Sequence, residues 1–372
     1  MVILQLVTKR QYRGAEVFAA SLSSMLASNG HKVIFTGLYR APEHVLTAKG
    51  AINIDLNGKK SAFSLSLLLH LIKLIRKENP DIIQANGSDT LKYAVLAKLS
   101  NPDLKIIYRN ISMVSAWSKQ ASFKQRFNRW LFTRVDAVTS VGQEALDDLI
   151  RTYRYPVSKA KLIRRGIPEV DADRNLFKQK IAVLFRFDAA NPLLMHIGQF
   201  SAEKNHSFLI VSMRLLLKKM PQIKLVFIGE GQLFESTKSF VKQEGLDGSI
   251  FFAGHRENVQ EWLSAADLFL MGSTIEGVPG VVLEAGMQSV PCVAVKVGGV
   301  GEVVKNNETG ILLPTHDPES FSEAIYGLML DENTRNRYGA NAKQFVKSNY
   351  SLQQCLKHFE SVYQMILTEK NT

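Results

Sequence analysis

The sequence predicts an α/β protein built from two doubly wound Rossmann-like domains in tandem, facing each other across a cleft. Three observations predict it. Short, almost uninterrupted apolar runs alternate with longer amphipathic stretches along the whole chain. Strands that are apolar on both faces belong to parallel sheets with helices on either side. The alternation lapses into polar and charged residues between about Pro168 and Asn191 and then resumes, and 372 residues exceed what one core ordinarily holds.

Strands are expected in order at "VILQLVT", "KVIFTGL", "INIDL", "DIIQANG", "KIIYRNI", "AVTSVG" and "KLIRRG", with helical patterns between them such as Glu16 to Ser28 and Ser64 to Glu78. These make a first domain over 1–168, followed by a linker zone over 169–190. The second domain, 191–350, carries strands at "PLLMHIGQF", "KLVFIGEG", "IFFAG", "LFLMG" and "CVAVKV". A last helix over 351–372 opens at Ser351, with Gln354 three residues on as a capping box. Its Leu352, Leu356, Phe359, Tyr363 and Ile366 share one face, and it is expected to cross back to the first domain. In such an architecture ligands bind outside the carboxyl ends of the strands.

Composition narrows the function classes. The two cysteines, Cys292 and Cys355, are too few for a disulfide framework or a metal knuckle. Cys292, in "VPCVAVKV", reads as a buried thiol. The opening "MVILQLVT" lacks the basic region of a signal peptide and reads as a buried strand. The most apolar window, "SAFSLSLLLHLIKLI", is broken by His70 and Lys73 and falls short of the roughly 18 apolar residues of a membrane span. A cytoplasmic protein is expected. The net charge of +12 is uneven: residues 1–200 hold 30 Lys and Arg against 15 Asp and Glu, and residues 201–372 hold 16 against 19. The first half therefore suits something anionic, a phosphorylated ligand or a membrane surface. Nucleic acid is not expected, because no binding motif accompanies the charge.

Several cofactor signatures are missing. No strand is followed by G-x-G-x-x-G, no P-loop occurs, and no His and Cys spacing suggests zinc. Asp171 and Asp173 form an Asp-x-Asp, but in the polar zone and not at a strand end, so no metal is expected. Two stretches carry positive signals. In "HIGQFSAEKNH", Gly198 follows a strand and Lys204 opens the next helix, a place where a phosphate would meet free N–H groups and a cation. The same lysine would equally suit an exposed first turn, and His196 reads as core. In "STIEGVPGVVLEAGMQSVP", Glu276 lies in the loop after a strand, and Pro279-Gly280 starts a helix that carries Glu284. One unbroken helix would set the two carboxylates about 80° apart; the Gly277–Gly280 break decouples them. The N–H groups of Gly280, Val281 and Val282 would then form an anion site, with a carboxylate on either side suited to paired sugar hydroxyls. Each glutamate alone also fits an ordinary helix N-terminus.

The blocks "GQFSAEKN", "IGEG", "FFAG", "STIEGVPGVVLEAGMQSVP", "VGGVGEVV" and "ETGILLP", in this order over 190–350, resemble the C-terminal domain of the family 4 retaining glycosyltransferases of the GT-B fold. "RGAEVFAASLSSMLASNGHKV" is similar to that family's glycine loop and first helix. The resemblance implies a nucleotide-sugar substrate, a UDP- or GDP-sugar, and no cofactor. It implies that Glu284 holds the ribose, that Glu276 contacts the transferred sugar, and that Lys204 with the backbone at Val281 and Val282 stabilises the diphosphate leaving group beside Gly198 and Gln199. Gly229, Glu230 and the stretch Gly254 to Val259 would border the base, and Gly14 would let the first domain approach the donor phosphates. No carboxylate is placed as a nucleophile, so assistance by the leaving phosphate is the implied mechanism.

Two departures stand out. Gln199 replaces the family's usual Arg, removing a cation for which Arg13 is the candidate substitute. Arg109-Asn110 stands where many members carry His, and either residue would lie on the acceptor side. The segment "SAWSKQASFKQRFNRWLFTR" mixes Trp117, Phe123, Phe127, Trp130 and Phe132 with Lys124, Arg126, Arg129 and Arg134. It suits an anionic membrane carrying a lipid-linked acceptor, or an ordinary helix whose aromatic residues face the core. The expected function is transfer of a sugar to a saccharide or lipid-linked saccharide in cell-surface polysaccharide or glycolipid synthesis. An epimerase or hydrolase on the same frame would release nucleotide without acceptor, and a non-catalytic binding protein would bind donor without turnover.

Overall fold

A computed structural model of the chain describes residues 1–41, 44–58, 63–115 and 122–368, the side chains of residues 122–124 apart. It divides into two units, Met1–Gly166 with Leu352–Thr372, and Ile167–Ser351. Among the described residues the first unit has a seven-stranded parallel sheet: β1 (Val2–Val7), β2 (Lys32–Tyr39), β3 (Ile52–Gly58), β4 (Ile82–Asn86), β5 (Lys105–Asn110), β6 (Ala137–Ser140) and β7 (Ala160–Leu162), ordered β3-β2-β1-β4-β5-β6-β7. The second unit has six: β8 (Leu193–Ile197), β9 (Lys224–Ile228), β10 (Ile250–Phe252), β11 (Leu268–Met271), β12 (Cys292–Val295) and β13 (Gly310–Leu313), ordered β10-β9-β8-β11-β12-β13. In both, the first strand sits where the strand order reverses, between β2 and β4 or between β9 and β11. That is where ligands bind in open α/β sheets.

Three aspartates set the start of these sheets. Asp81, Asp136 and Asp267 each stand one residue before a strand, in "PDII", "VDAV" and "ADLF". Each carboxylate accepts the N–H of the residue alongside it in the neighbouring strand, Val2, Ile106 and Leu193 respectively, at 2.7 Å in every case. The aspartate's own N–H returns to the same residue's carbonyl at 2.9, 2.9 and 2.7 Å. Each pair of strand starts is therefore locked in register by a side chain and a backbone bond together.

The zone 169–190, expected as a linker, contains the helix Arg174–Phe185. Asp173 caps it by accepting Leu176 N–H at 3.0 Å, which gives one member of the Asp-x-Asp a structural task. Arg174 and Lys178, one turn apart, both reach Asp267, at 2.6 and 3.3 Å, and Ile181 and Ala182 are buried. The polar composition that reads as linker is the outer face of this helix plus its two cations. The strand β13, "GILL", was absent from the expected series; it pairs with β12 along its whole length.

The last helix, Leu352–Thr368, belongs to the first unit as expected. Phe359 packs on Phe18, and beneath them lies a closed polar ring. Gln5 donates to Tyr363 Oη (3.1 Å), Tyr363 to Gln84 (2.6 Å), Gln84 to Asn86 (3.2 Å), and Asn86 back to Gln5 (3.1 Å). All four are buried, so the ring satisfies groups that would otherwise be costly to desolvate and fixes the helix over β1 and β4. Of the basic aromatic segment, Phe132 is buried and stacked on Tyr153 at 4.6 Å. Phe127 and Trp130 stack on each other at 5.8 Å, with Arg134 over Trp130. Trp117 and the side chains of Phe123 and Lys124 lie outside the described residues.

Asp267→Ala is expected to lower stability by roughly 2–4 kcal/mol, because it leaves Leu193 N–H and two cations without their acceptor. Asp267→Asn, which keeps a carbonyl acceptor, should lose less. Urea unfolding checks both, and equal losses would contradict the double role of the carboxylate.

Candidate active site

The loops leaving the carboxyl ends of the second unit's strands are bonded to one another. Gly198 N–H donates to Ile228 O at 3.0 Å, Phe200 N–H to Glu230 O at 2.9 Å, and Gly229 N–H to Gly254 O at 2.9 Å. The approach is closest at Gly229, which has φ 139°; a Cβ there would lie 2.0 Å from Gly198 O. These glycines therefore form one continuous backbone shelf, with Glu230 on it and the short helix Val259–Ser264 beyond Gly254.

Lys204 ends a single 3-10 turn, Ala202–Lys204. Its stem lies across Gly198 and its Nζ is 2.5 Å from Glu276 Oε1. The Glu276 side chain is only 9% exposed. Thr274 N–H donates to Glu203 O at 2.8 Å, tying the two loops together a second time. From below, Gly298 (φ 46°) supports Glu276 so closely that a Cβ would lie 2.0 Å from Glu276 O. At the start of the loop, His316 Nε2 is 3.1 Å from the carbonyls of both Gly272 and Ser273. An Nε2–H tautomer donates to this pair and holds the turn out of β11.

The helix Gly280–Met287 begins at Pro279, as expected, and Pro279 supplies no side-chain cap. The first N–H groups of a helix have no acceptor within it. Gly280 and Val281 provide these, whereas Val282 N–H turns back to Pro279 O at 3.2 Å. The anion site therefore has two leading N–H groups rather than three, because the first turn tightens. Glu284, half-buried, stands one turn further along.

In the first unit, Gly14 opens the helix Gly14–Ser28 at an exposed position with nothing within 4 Å of an added Cβ, and Arg13 beside it is also exposed. Arg109 and Asn110 do not present themselves to an acceptor in this way. Arg109 is 3% exposed, its guanidinium 4.0 Å from the Phe18 ring centroid. Burial first, and then the nearby Arg165 charge, lower its pKa to about 9. Asn110 is fully buried and donates to Ala145 O at 2.9 Å. Both side chains sit at the end of β5 but turn inward, and sequence alone gives no sign of that direction.

Comparison with known proteins matches this arrangement. Residues 12–170 fit the family described as Glycosyltransferase Family 4, and residues 178–345 fit that described as Glycosyl transferases group 1. The chain is a family 4 glycosyltransferase of the GT-B fold. It is 23% identical to the N-acetyl-alpha-D-glucosaminyl L-malate synthase of Bacillus anthracis, over 96% of this chain and 95% of that one. It is 22% identical to the UDP-Gal:alpha-D-GlcNAc-diphosphoundecaprenol alpha-1,3-galactosyltransferase of Escherichia coli, over 80% and 78%. The crystal structure of Anabaena HepE in complex with UDP and glucose superposes with a TM-score of 0.84 at 17% identity, covering 98% of this chain and all of that one.

Beneath the glycosyltransferase's lysine–glutamate pair lies an aromatic floor. His196 Nδ1 is 2.9 Å from Leu270 O, and His206 stacks on Phe200 at 4.0 Å. Neither Nε2 finds a partner among the described residues. Burial lowers the pKa of His196 to about 4 and pushes that of His206 further down, with the neighbouring charges adding to it. Both rings are therefore neutral in the fold and protonate on unfolding. The unfolded chain binds more protons between about pH 6.5 and 4, so stability falls as pH falls through that window, by up to ~1.4 kcal/mol per pH unit for each ring. Melting curves across the window should show this slope, and His206→Phe should make it shallower. An unchanged slope in the variant would remove His206 from the account.

Sequence reasoning missed His316 and assigned no role to Gly298. The signals were present in "THDP" and "VGGVG", but neither shows which loop it meets. Gly298→Ala should displace Glu276 and cut turnover by roughly a hundred-fold, with nucleotide affinity little changed. Steady-state kinetics and UDP or GDP titration separate the two effects.

Proposed function

We propose that the enzyme transfers a sugar from a UDP- or GDP-linked donor to a saccharide or lipid-linked saccharide, with retention of anomeric configuration and without a metal ion, at an anionic membrane surface. The observation that carries this reading is the Lys204–Glu276 pair at the carboxyl edge of the second sheet, beside the open N-terminus of the helix Gly280–Met287. A cation and two N–H groups there suit a diphosphate, and the carboxylate suits the hydroxyls of the sugar attached to it. Lys204 would exchange part of its bond with Glu276 for the leaving group, placing positive charge where negative charge develops. Glu284 would accept the ribose hydroxyls. Gly229 and Glu230, with Gly254 to Val259, would border the base through backbone groups, and Gly198 and Gln199 would lie beside the diphosphate.

Gln199 offers no charge to the leaving group, which leaves that task to Lys204. Arg109 and Asn110 have no part in this reading, since burial leaves their polar atoms inside the unit. The complex of HepE with UDP and glucose supports a nucleotide-sugar donor. The name of the E. coli relative, with its diphosphoundecaprenol-linked acceptor, supports a lipid-linked acceptor here.

A panel of UDP- and GDP-sugars with a membrane extract, followed by nucleotide release and labelled product, tests the activity. NMR of the product should show the donor's anomeric configuration, and chelator should leave the rate unchanged. Glu284→Ala should weaken nucleotide binding roughly ten- to a hundred-fold, as for loss of a charged hydrogen bond; unchanged affinity would sink the ribose assignment. Release at full rate with no acceptor would instead identify a hydrolase or epimerase.

A further inference from the structure

The helix Leu65–Glu78 of the first unit has two contrasting faces. Leu67, Leu71, Leu74 and Ile75 are buried against the sheet, which is the usual arrangement of an amphipathic helix on a core. Its opposite face is not simply polar. Leu65 is 61% exposed and Leu69 56%, with Phe63, 48% exposed, just before the Ser64 cap. Further along, Lys73, Arg76 and Lys77 are exposed. At 100° per residue, Leu65, Leu69, Lys73 and Arg76 fall within about 80° of arc, and Lys77 flanks them. None of the exposed positions from Leu65 to Lys77 is acidic. Glu78 at the helix end pairs with Lys32 at 3.0 Å and through its other oxygen with Lys77 at 3.5 Å.

We propose that this stripe is the enzyme's docking surface for an anionic phospholipid bilayer, with Phe63, Leu65 and Leu69 entering the headgroup region and Lys73, Arg76 and Lys77 meeting lipid phosphates. Exposed leucines in line with cations are the pattern of a helix lying in a membrane interface. Charge complementarity selects this occupant. A second copy of the chain laid stripe to stripe would desolvate Lys73 and Arg76 with no carboxylate of the stripe to receive them. The location also serves the reaction. The helix connects two parallel strands, β3 and β4, so it runs against them, and its leucine end lies at the carboxyl edge of the first sheet. That is the edge where Gly14 opens its helix. A lipid-linked acceptor would thus have its anchor beside the ligand-binding edge of the first sheet. The inference rests on the membrane reading above and moves its centre from the segment 115–134 to this helix.

Cosedimentation with vesicles of phosphatidylglycerol and of phosphatidylcholine tests it. The wild-type enzyme should bind the anionic vesicles, less as salt is raised, and not the neutral ones. The triple variant Lys73→Gln, Arg76→Gln, Lys77→Gln should bind roughly a hundred-fold more weakly. Leu65→Ser with Leu69→Ser should bind at least roughly ten-fold more weakly. Melting curves and UDP or GDP titration should match wild type in both sets, and Arg126→Gln with Arg129→Gln should retain vesicle binding. If that last variant loses binding while the two helix sets keep it, the surface lies elsewhere and the proposal falls. If the leucine variant instead converts a dimer to a monomer with vesicle binding intact, the stripe joins two copies and the proposal falls. If wild-type enzyme binds neither vesicle, the membrane reading fails with it, whereas nucleotide release with a soluble acceptor would leave the glycosyltransferase reading standing.

Discussion

Both sheets depend on how their strands are brought level at the amino-terminal edge. Parallel strands have no tight turn to set their register, because every connection is a long crossover. Here Asp81, Asp136 and Asp267 do that task, each with one carboxylate bond and one backbone bond to the neighbouring strand. With the starts level, strands of similar length end level too, and the loops that follow emerge at one edge. In the second unit that edge carries Gly198, Gly229, Gly254 and the turn to Glu276. Asp267 also receives Arg174 and Lys178, so the same carboxylate that aligns β8 with β11 holds the entering helix in place.

The site is built more from backbone proximity than from side-chain number. Gly229 against Gly198 and Gly298 against Glu276 leave no room for a Cβ, and the four loops they join in pairs would otherwise stand apart. Only a few side chains then project into the space, principally Lys204, Glu276 and Glu284. The floor is closed by the neutral rings of His196 and His206. A low-dielectric floor strengthens the interaction of the lysine and glutamate above it.

The alternating pattern made the two-unit α/β architecture legible, because burial on both faces of a parallel sheet demands near-continuous apolar runs. Glu276 and Glu284 stood out because each lies near a glycine or proline break, and Lys204 because it follows the strand-end Gly198. The helix Arg174–Phe185 was not: it buries only a narrow stripe, with Ile181 and Ala182 fully covered, and its cations answer an aspartate 93 residues away from Arg174. Arg109 and Asn110 were placed at the right strand end, but which way a side chain turns there depends on Phe18 and Ala145. Sequence distance conceals both.

By itself the sequence determined the fold class and the family and singled out the residues proposed to hold a diphosphate and sugar hydroxyls, because these follow from periodicity, chain breaks and ordered local motifs. Tertiary structure alone decided which of those residues meet. Lys204 finds Glu276 across 72 positions, His316 finds the turn out of β11, Val282 N–H is withdrawn from the anion site, and two leucines of a predicted core helix remain in solvent. Each of these is set by how separate loops and faces pack in space, and no local stretch of sequence carries that information.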